Sequence, residues 1–247
     1  MVRALLVRGM LAGLLAGLVA FVYARYFAEP LIEQAIAFED HRHELAGDPA
    51  DPELVSRAVQ STLGLLTGVV VYSTAIGGVF SLVFAFAHGR VGRTRLRVTA
   101  GLVAGAAFVV LFLVPQIKYP ANPPSIGDPQ TIGARTALYF VMIAWSLIAA
   151  VSALLLERRL MRHLDLWNAA LCGAGYYILA AALGMFILPP VNEVPDDFPA
   201  TLLWQFRTVS LGGHAVLLAV LGLAFGVLAE RRMLAGSRSA IRLQRTG

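Results

Sequence analysis

Residues 60–87 read QSTLGLLTGVVVYSTAIGGVFSLVFAFA and contain no charged side chain over 28 positions. A bilayer core about 30 Å thick needs about 20 apolar residues in a helix that rises about 1.5 Å per residue, so this block is long enough to cross it. Five further blocks have the same character and lie at about 4–27, 98–117, 136–156, 167–188 and 205–229. The sequence therefore predicts an all-α, polytopic membrane bundle of six transmembrane helices in a single domain, residues 1–247.

The composition of the whole chain favours the same class. Hydrophobic residues make up 58% of the 247 positions and charged residues only 14%, whereas about a quarter of a soluble domain is charged. Arg3 and Arg8 precede an apolar run, as in a signal peptide, but that run extends to about Ala28 without a clear cleavage site. We therefore interpret it as a retained first helix. The single cysteine, Cys172, cannot form an internal disulfide.

The segments that join the blocks are of two alternating kinds. Three are rich in arginine: 88–97, 157–166 and the tail from 230. Three are rich in proline, acids and asparagine: 28–59, 118–135 and 189–204. With the N-terminus included, the first side has fourteen arginines and three acids, and the second has six basic residues and twelve acids. Since arginine marks the cytoplasmic side, we expect a multi-pass plasma membrane protein with both termini inside the cell.

The chain also contains a weak internal repeat. LLLERRLM at 154–161 matches VLAERRML at 227–234, and each predicted inward-running helix has an arginine near its outer end. We interpret the six helices as three parallel helical hairpins, with shared membrane constraints as the alternative explanation. The arginines Arg57, Arg135 and Arg207, together with Glu29, are candidate gating residues. Alternatively, the arginines extend to the outer interface or pair with the acids there.

Glycines spaced four apart predict where helices approach one another. Gly9, Gly13 and Gly17 form two overlapping GxxxG patterns. The same spacing recurs at Gly64/Gly68, Gly101/Gly105 and Gly222/Gly226. Small residues allow close backbone contact in lipid, where packing drives helix association. We expect ordinary tight helix packing at these positions, with a sliding surface between repeats as the functional alternative.

The first outer segment, 28–59, has helical periodicity after Pro30 and predicts a short amphipathic helix on the outer surface. Its end is rich in imidazole and carboxylate groups, which suit borderline divalent cations such as Co²⁺. These candidate metal ligands are Glu39, Asp40, His41, His43 and Glu44. Their spacing matches no closed metal motif, and a solvated charged loop is the alternative.

The other two outer loops, KYPANPP and VNEVPDDFP, place polar side chains on a proline-rich backbone. Asn122, Asn192 and Glu193 offer oxygen ligands there, or the loops are only ordered turns between helices. His214 lies two turns inside the last predicted helix. An ionisable residue at that depth often marks a pathway, although a histidine bonded to the helix backbone is the competing interpretation.

Several functional classes lack a signal in this sequence. It contains no Walker A, HExxH or GxSxG motif, so we expect neither an ATPase nor an enzyme of those kinds. The net charge of +5 comes from arginines at membrane edges rather than from a basic reading surface, so we do not expect nucleic acid as a partner. No permanently bound cofactor is predicted.

Four stretches taken together resemble the CbtA family of probable cobalt transporter subunits, in particular its actinobacterial branch. They are LLAGLVAFV with AEPLIEQAIAFE within 14–39, VSRAVQSTLGLLTG at 55–68, KYPANPPSIGDP at 118–129 and LPPVNEVPDDFP at 188–199. The resemblance covers nearly the whole chain. It implies uptake of Co²⁺ for cobalamin synthesis and a small single-span partner, CbtB, with a histidine-rich end.

The leading hypothesis is thus a membrane subunit of a divalent-metal uptake transporter. Cobalt would be gathered by the acidic outer loops and passed to a site between the hairpins. Its partners would be the lipid bilayer, a CbtB-like subunit and a second copy of the chain in a homo-oligomer. A membrane scaffold that does not itself transport is the main alternative. An intramembrane enzyme using His214 and outer carboxylates is the third.

Overall fold

The computed structural model describes residues 2–47, 55–90, 94–124 and 126–244, and the regular structure within these ranges is helical. The α-helices, labelled in chain order, are α1 (Val2–Tyr23), α2 (Glu29–Ala46), α3 (Arg57–Val59), α4 (Leu65–Ala87), α5 (Leu96–Phe108), α6 (Val114–Lys118), α7 (Ile132–Leu160), α8 (Leu166–Ile187) and α9 (Ala200–Gln244). Three π-helical turns join α1 to α2, α3 to α4 and α5 to α6: Ala24–Ala28, Gln60–Gly64 and Val109–Leu113. A 3-10 turn, Pro129–Thr131, leads into α7.

Six continuous helices in these ranges are long and apolar enough to cross a bilayer, which confirms the predicted number of spans. They are Arg3–Leu45, Arg57–Ala87, Leu96–Lys118, Pro129–Leu160, Leu166–Ile187 and Ala200–Glu230. Their outward faces carry large apolar side chains, such as Phe186 and Leu179, which are 88% and 72% exposed. A surface this apolar is stable against lipid tails rather than against water.

The tightest helix pair is α1 with α4, and glycine forms its seam. Gly9 and Gly13 lie against the backbone of Gly77 and Ser73, so a side chain at either position would collide with main-chain atoms. Gly17 continues the same seam one turn further along. Close contact at the first GxxxG pair is therefore confirmed. By contrast, no described atom of another element lies within 4 Å of the side-chain position of Gly68, Gly101 or Gly105, so the pattern marks no contact there.

The main apolar core lies where α9 packs between α1 and α5. Leu221 and Phe225 are fully buried, and the Phe225 ring meets Phe80 and Phe84 edge to face at 5.4 Å and 4.9 Å. Gly222 faces Ala104 on α5. The last helix is thus held by its small residues against a helix that is distant in sequence.

Helices α7 and α8 form a second, smaller pair. The Trp145 Nε1 donates to Ala180 O at 2.8 Å, and the hydroxyls of Ser146 and Tyr177 lie 2.8 Å apart. Helix α8 packs chiefly on α7, whereas α9 packs on α1 and α5. The arrangement as three like hairpins is therefore not confirmed, because α8 packs chiefly on α7 rather than on α9, the partner that the third hairpin requires. The orientation of the termini also stays a prediction.

Helix α2 continues α1 through a π-helical turn rather than starting a separate surface helix. Pro30 is tolerated because the first turn of a helix does not use every backbone N–H. The buried face of α2, with Leu31 and Ala35, packs against Ile126 and Phe198 of the outer loops. Helix α2 therefore braces the two proline-rich loops against each other.

Candidate functional site

Two proline-rich loops and the ends of three helices, on the side predicted to face outward, line a cavity of about 520 Å³, which we call the outer cavity after that prediction. Its walls come from the end of α6, the start of α7, the first turns of α9 and the loops that follow α6 and α8. Its polar lining includes Gln116, Tyr119, Asn122, Asn192, Arg135, Arg207 and His214. Five of these, Asn122, Asn192, Arg135, Arg207 and His214, are residues that the sequence predicted as ligands or gating residues.

Hydrogen bonds join the two loops that form the walls. The Tyr119 hydroxyl donates to Pro189 O at 2.8 Å, and burial raises the pKa of this hydroxyl. Glu193 Oε2 accepts from the backbone N–H of Asp128 at 3.0 Å and from the Thr131 hydroxyl at 2.8 Å. Glu193 is therefore occupied in holding one loop to the other.

Arg135 on α7 completes this connection. Its Nε lies 3.2 Å from Glu193 Oε2, which is an ion-pair distance, although the N–H does not point at the oxygen. The guanidinium lies over Gly127, whose φ of 110° is strained for any other residue and where a side chain would collide with it. Glycine at 127 thus makes room for the Arg135–Glu193 pair.

Arg207 on α9 has a neutral partner instead. Its Nη2 donates to Asn122 Oδ1 at 2.9 Å, and its backbone carbonyl accepts from Gln116 Nε2 at 3.2 Å. Its Nε is buried without a hydrogen-bond partner. Within the described ranges no carboxylate lies within 4 Å of this guanidinium.

His214 lies seven positions after Arg207, which is about 10 Å further along the helix. Its Nδ1 lies 3.0 Å from Ser210 O, and its ring stacks on Phe112 with the centroids 4.1 Å apart. A carbonyl can only accept, so Nδ1 carries the proton. The neutral ring then has its lone pair on Nε2. His214 thus bonds to the helix backbone, as the competing interpretation expects, and it also lines the cavity; its place on a pathway stays a prediction.

The last candidate pair, Glu29 and Arg57, lies away from the cavity. Glu29 is only 3% exposed, and its carboxylate forms an ion pair with the Arg57 guanidinium. This pair joins the start of α2 to the start of α3. A buried carboxylate is tolerated only when an opposite charge pairs with it. We therefore interpret this ion pair as a structural connection between the first two spans.

A comparison of the sequence with known families gives one clear result. The sequence model of the family described as Probable cobalt transporter subunit (CbtA) matches residues 2–230. The chain belongs to the CbtA family. This confirms the resemblance seen in the sequence. Comparisons with curated proteins and with solved structures gave no match.

In this CbtA protein the predicted ligands of the first outer segment stand along the last turns of α2, and most of them are exposed. They are Glu39, Asp40, His41, His43 and Glu44. His41 and His43 are two positions apart and so point about 200° apart around the helix. Across the part of the chain that the structure describes, no three His, Cys, Asp or Glu side chains are grouped to hold a metal ion. The five residues therefore do not converge on one ion.

Most lining residues of this CbtA cavity were not predicted, among them the polar residues Gln116 and Tyr119. A signal for Gln116 was present, because it is a lone amide at the outer end of an otherwise apolar helix. The contact of Tyr119 with Pro189 joins two loops 70 positions apart, and sequence periodicity contains no information on such a contact.

Proposed function

We propose that this CbtA protein is the membrane subunit of a transporter that carries Co²⁺ into the cell and supports cobalamin synthesis. The family description supplies the coarser statement, a probable cobalt transporter subunit. The observation that carries the proposed metal path is the outer cavity, because it reaches His214 inside a membrane-spanning helix. The link to cobalamin synthesis is implied by the family resemblance. Imidazole nitrogen is a suitable ligand for Co²⁺.

The surroundings of His214 support a ligand role. A metal-binding histidine usually donates its second N–H to a carbonyl or carboxylate, which fixes the ring. The Nδ1 contact with Ser210 O has this form and leaves Nε2 as the ligating atom. Asn192, which also lines the cavity, offers an amide oxygen, whereas the amide oxygen of Asn122 accepts from Arg207.

The acids and histidines at the end of α2 have a different proposed task. A helix spreads Glu39, Asp40, His41, His43 and Glu44 over its surface, so they act as a negative and imidazole-rich region rather than one closed site. Such a region raises the local concentration of cations near the outer cavity. Arg42 offsets one of the three negative charges of this region and connects it to the third outer loop, since its Nε lies 3.7 Å from Asp197 Oδ2.

The family description names a subunit, which favours an assembly over a lone carrier and transport over enzyme activity. We propose a small single-span partner with a histidine-rich end, and a second copy of this chain, as components of that assembly. The main competing function is a scaffold that stabilises another permease. It is favoured by the lack of a three-ligand group among the described residues.

Uptake of radioactive cobalt by proteoliposomes separates the two functions. We expect uptake above empty vesicles when the chain is reconstituted with its partner. His214→Ala should lower the maximal rate, because the ligand on the pathway is lost. His163→Ala, a change of an exposed histidine on the arginine-rich side, is the matched control and should transport like the parent. Equal rates for all three proteins would favour the scaffold.

A further inference from the structure

The charge of the outer cavity is the opposite of what a bare metal cation prefers. Two arginines, Arg135 and Arg207, line it, and none of its described lining residues is a carboxylate. Arg135 is compensated by Glu193, which lies behind it at 3.2 Å. Arg207 has no such partner in the described ranges. A divalent cation that enters alone therefore meets an uncompensated positive charge.

Arg207 also has unused hydrogen-bond donors. A guanidinium carries five N–H groups in a planar fork that matches the two oxygens of a carboxylate. The described hydrogen bond of the guanidinium uses Nη2, through Asn122 Oδ1, and none of the described bonds uses Nη1; Nε is buried, as it is in Arg57 and Arg135. What Arg207 lacks in the described ranges is a counter-charge, which an anion in the cavity would supply.

We propose that the outer cavity binds a carboxylate through Arg207, and that the metal enters it as a complex with a small organic acid rather than as a bare cation. This proposal rests on the proposed function. The carboxylate compensates Arg207, while the metal it brings is directed to Nε2 of His214. Citrate is a suitable example, because its complex with Co²⁺ keeps a net negative charge.

The dimensions of the outer cavity fit such a ligand. Its volume of about 520 Å³ lies in the usual range for small-molecule sites, about 300–1,000 Å³, and far exceeds the space of one ion. Arg207 and His214 lie on one face of α9, two turns apart, so one ligand of several carboxylates can reach both. The apolar ring of Phe112 stacks on His214 and limits the access of water to the imidazole on that side.

Binding of citrate to the purified chain in detergent tests the carboxylate part. Calorimetric titration with citrate, with cobalt chloride and with their equimolar mixture should show binding of citrate and of the mixture by the parent protein. Arg207→Gln should weaken both by at least about tenfold, the usual effect of losing a hydrogen bond to a charged group. The control is Arg25→Gln, which removes an exposed arginine from the π-helical turn after α1. It should leave the binding of citrate and of the mixture unchanged.

A second variant, Asn122→Asp, gives opposite results for the two ligands. It places a carboxylate beside Arg207, as Glu193 already does beside Arg135, and should leave the fold intact because it strengthens the existing contact. If the cavity takes a carboxylate, the variant binds citrate and the cobalt–citrate mixture more weakly. If the cavity takes bare Co²⁺, the added acid strengthens binding of cobalt chloride, and that result would overturn the proposal.

Uptake measurements keep the failure of this proposal distinct from the failure of the proposed function. In proteoliposomes with the partner present, citrate should increase cobalt uptake by the parent and not by Asn122→Asp. Cobalt uptake that citrate does not increase would overturn the proposal while supporting transport. If the protein binds citrate but takes up no cobalt under any condition, the transport function is overturned, and so is the delivery of metal to His214. The cavity would then be a carboxylate site only.

Discussion

Arg57 and Arg207 occupy corresponding places in the sequence, since each lies near the predicted outer end of an inward-running helix, yet their surroundings differ. Arg57 pairs with Glu29, a carboxylate that is only 3% exposed. Arg207 faces the outer cavity and has the neutral amide of Asn122 as its partner. The charge of the first arginine is compensated inside the protein, and that of the second remains available to a ligand.

Arg135 shows what separates the two cases. It lines the outer cavity like Arg207, but Glu193 compensates it as Glu29 compensates Arg57. The role of an arginine is therefore not decided by its position in the repeat. It depends on which residue the fold places beside it. Three substitutions, each aimed at one of these arginine sites, test this conclusion.

The largest loss of stability should follow from breaking the buried pair. Glu29→Gln leaves the Arg57 guanidinium without a counter-charge, and removing one partner of a buried ion pair costs about 3–5 kcal/mol. Because the Arg57 side chain is 28% exposed, we expect the lower end, about 3 kcal/mol. The melting temperature in detergent measures this loss.

The neighbouring acid on the same helix provides the control for this substitution. Glu33→Gln, at an exposed position of α2, should leave the melting temperature unchanged. The double variant with Glu29→Gln and Arg57→Gln should recover part of the loss, since no unpaired charge remains. If Glu33→Gln costs as much as Glu29→Gln, the pair is not the structural connection described above.

An intermediate effect is expected at Arg135. Glu193→Gln removes the charge from a pair whose side chains are 24% and 21% exposed, and weakens two hydrogen bonds between the loops. We expect a loss of about 1–2 kcal/mol, measured again by melting temperature. Asp196→Asn changes an exposed acid of the same loop and should have no effect. Equal losses for both would indicate a general effect of loop charge.

The number of spans could be predicted because each crossing needs about twenty apolar residues, and residues 60–87 and the other five blocks meet this requirement. The seam at Gly13 was also predicted, since small residues four apart permit a second backbone to approach. The pattern did not indicate which helix backbone approaches. Gly101 and Gly105 have the same spacing and no described neighbour, because the pattern permits a contact without requiring one.

The sequence predicted which residue types form the candidate site but not which of these residues lie together. Asn122, Asn192 and His214 were singled out as polar residues in apolar surroundings, and the fold brings them to one cavity. Glu193 was predicted as a metal ligand, whereas the fold surrounds it with Arg135, Thr131 and the backbone of Asp128. A carboxylate is equally suited to both tasks, so only the contacts distinguish them.

The smallest loss of stability should occur at Arg207, where the largest loss of ligand binding is expected. Arg207→Gln removes one hydrogen bond to a neutral amide and one buried N–H without a partner, so the two effects oppose each other. We expect the free energy of unfolding to change by less than about 0.5 kcal/mol, the usual range for a change outside the core. Melting curves beside Glu29→Gln measure the difference directly. A loss as large as that of Glu29→Gln would mean that Arg207 holds the Asn122 loop in place. The two arginines would then have the same structural role, and the charge in the outer cavity would be a by-product of folding rather than a binding feature.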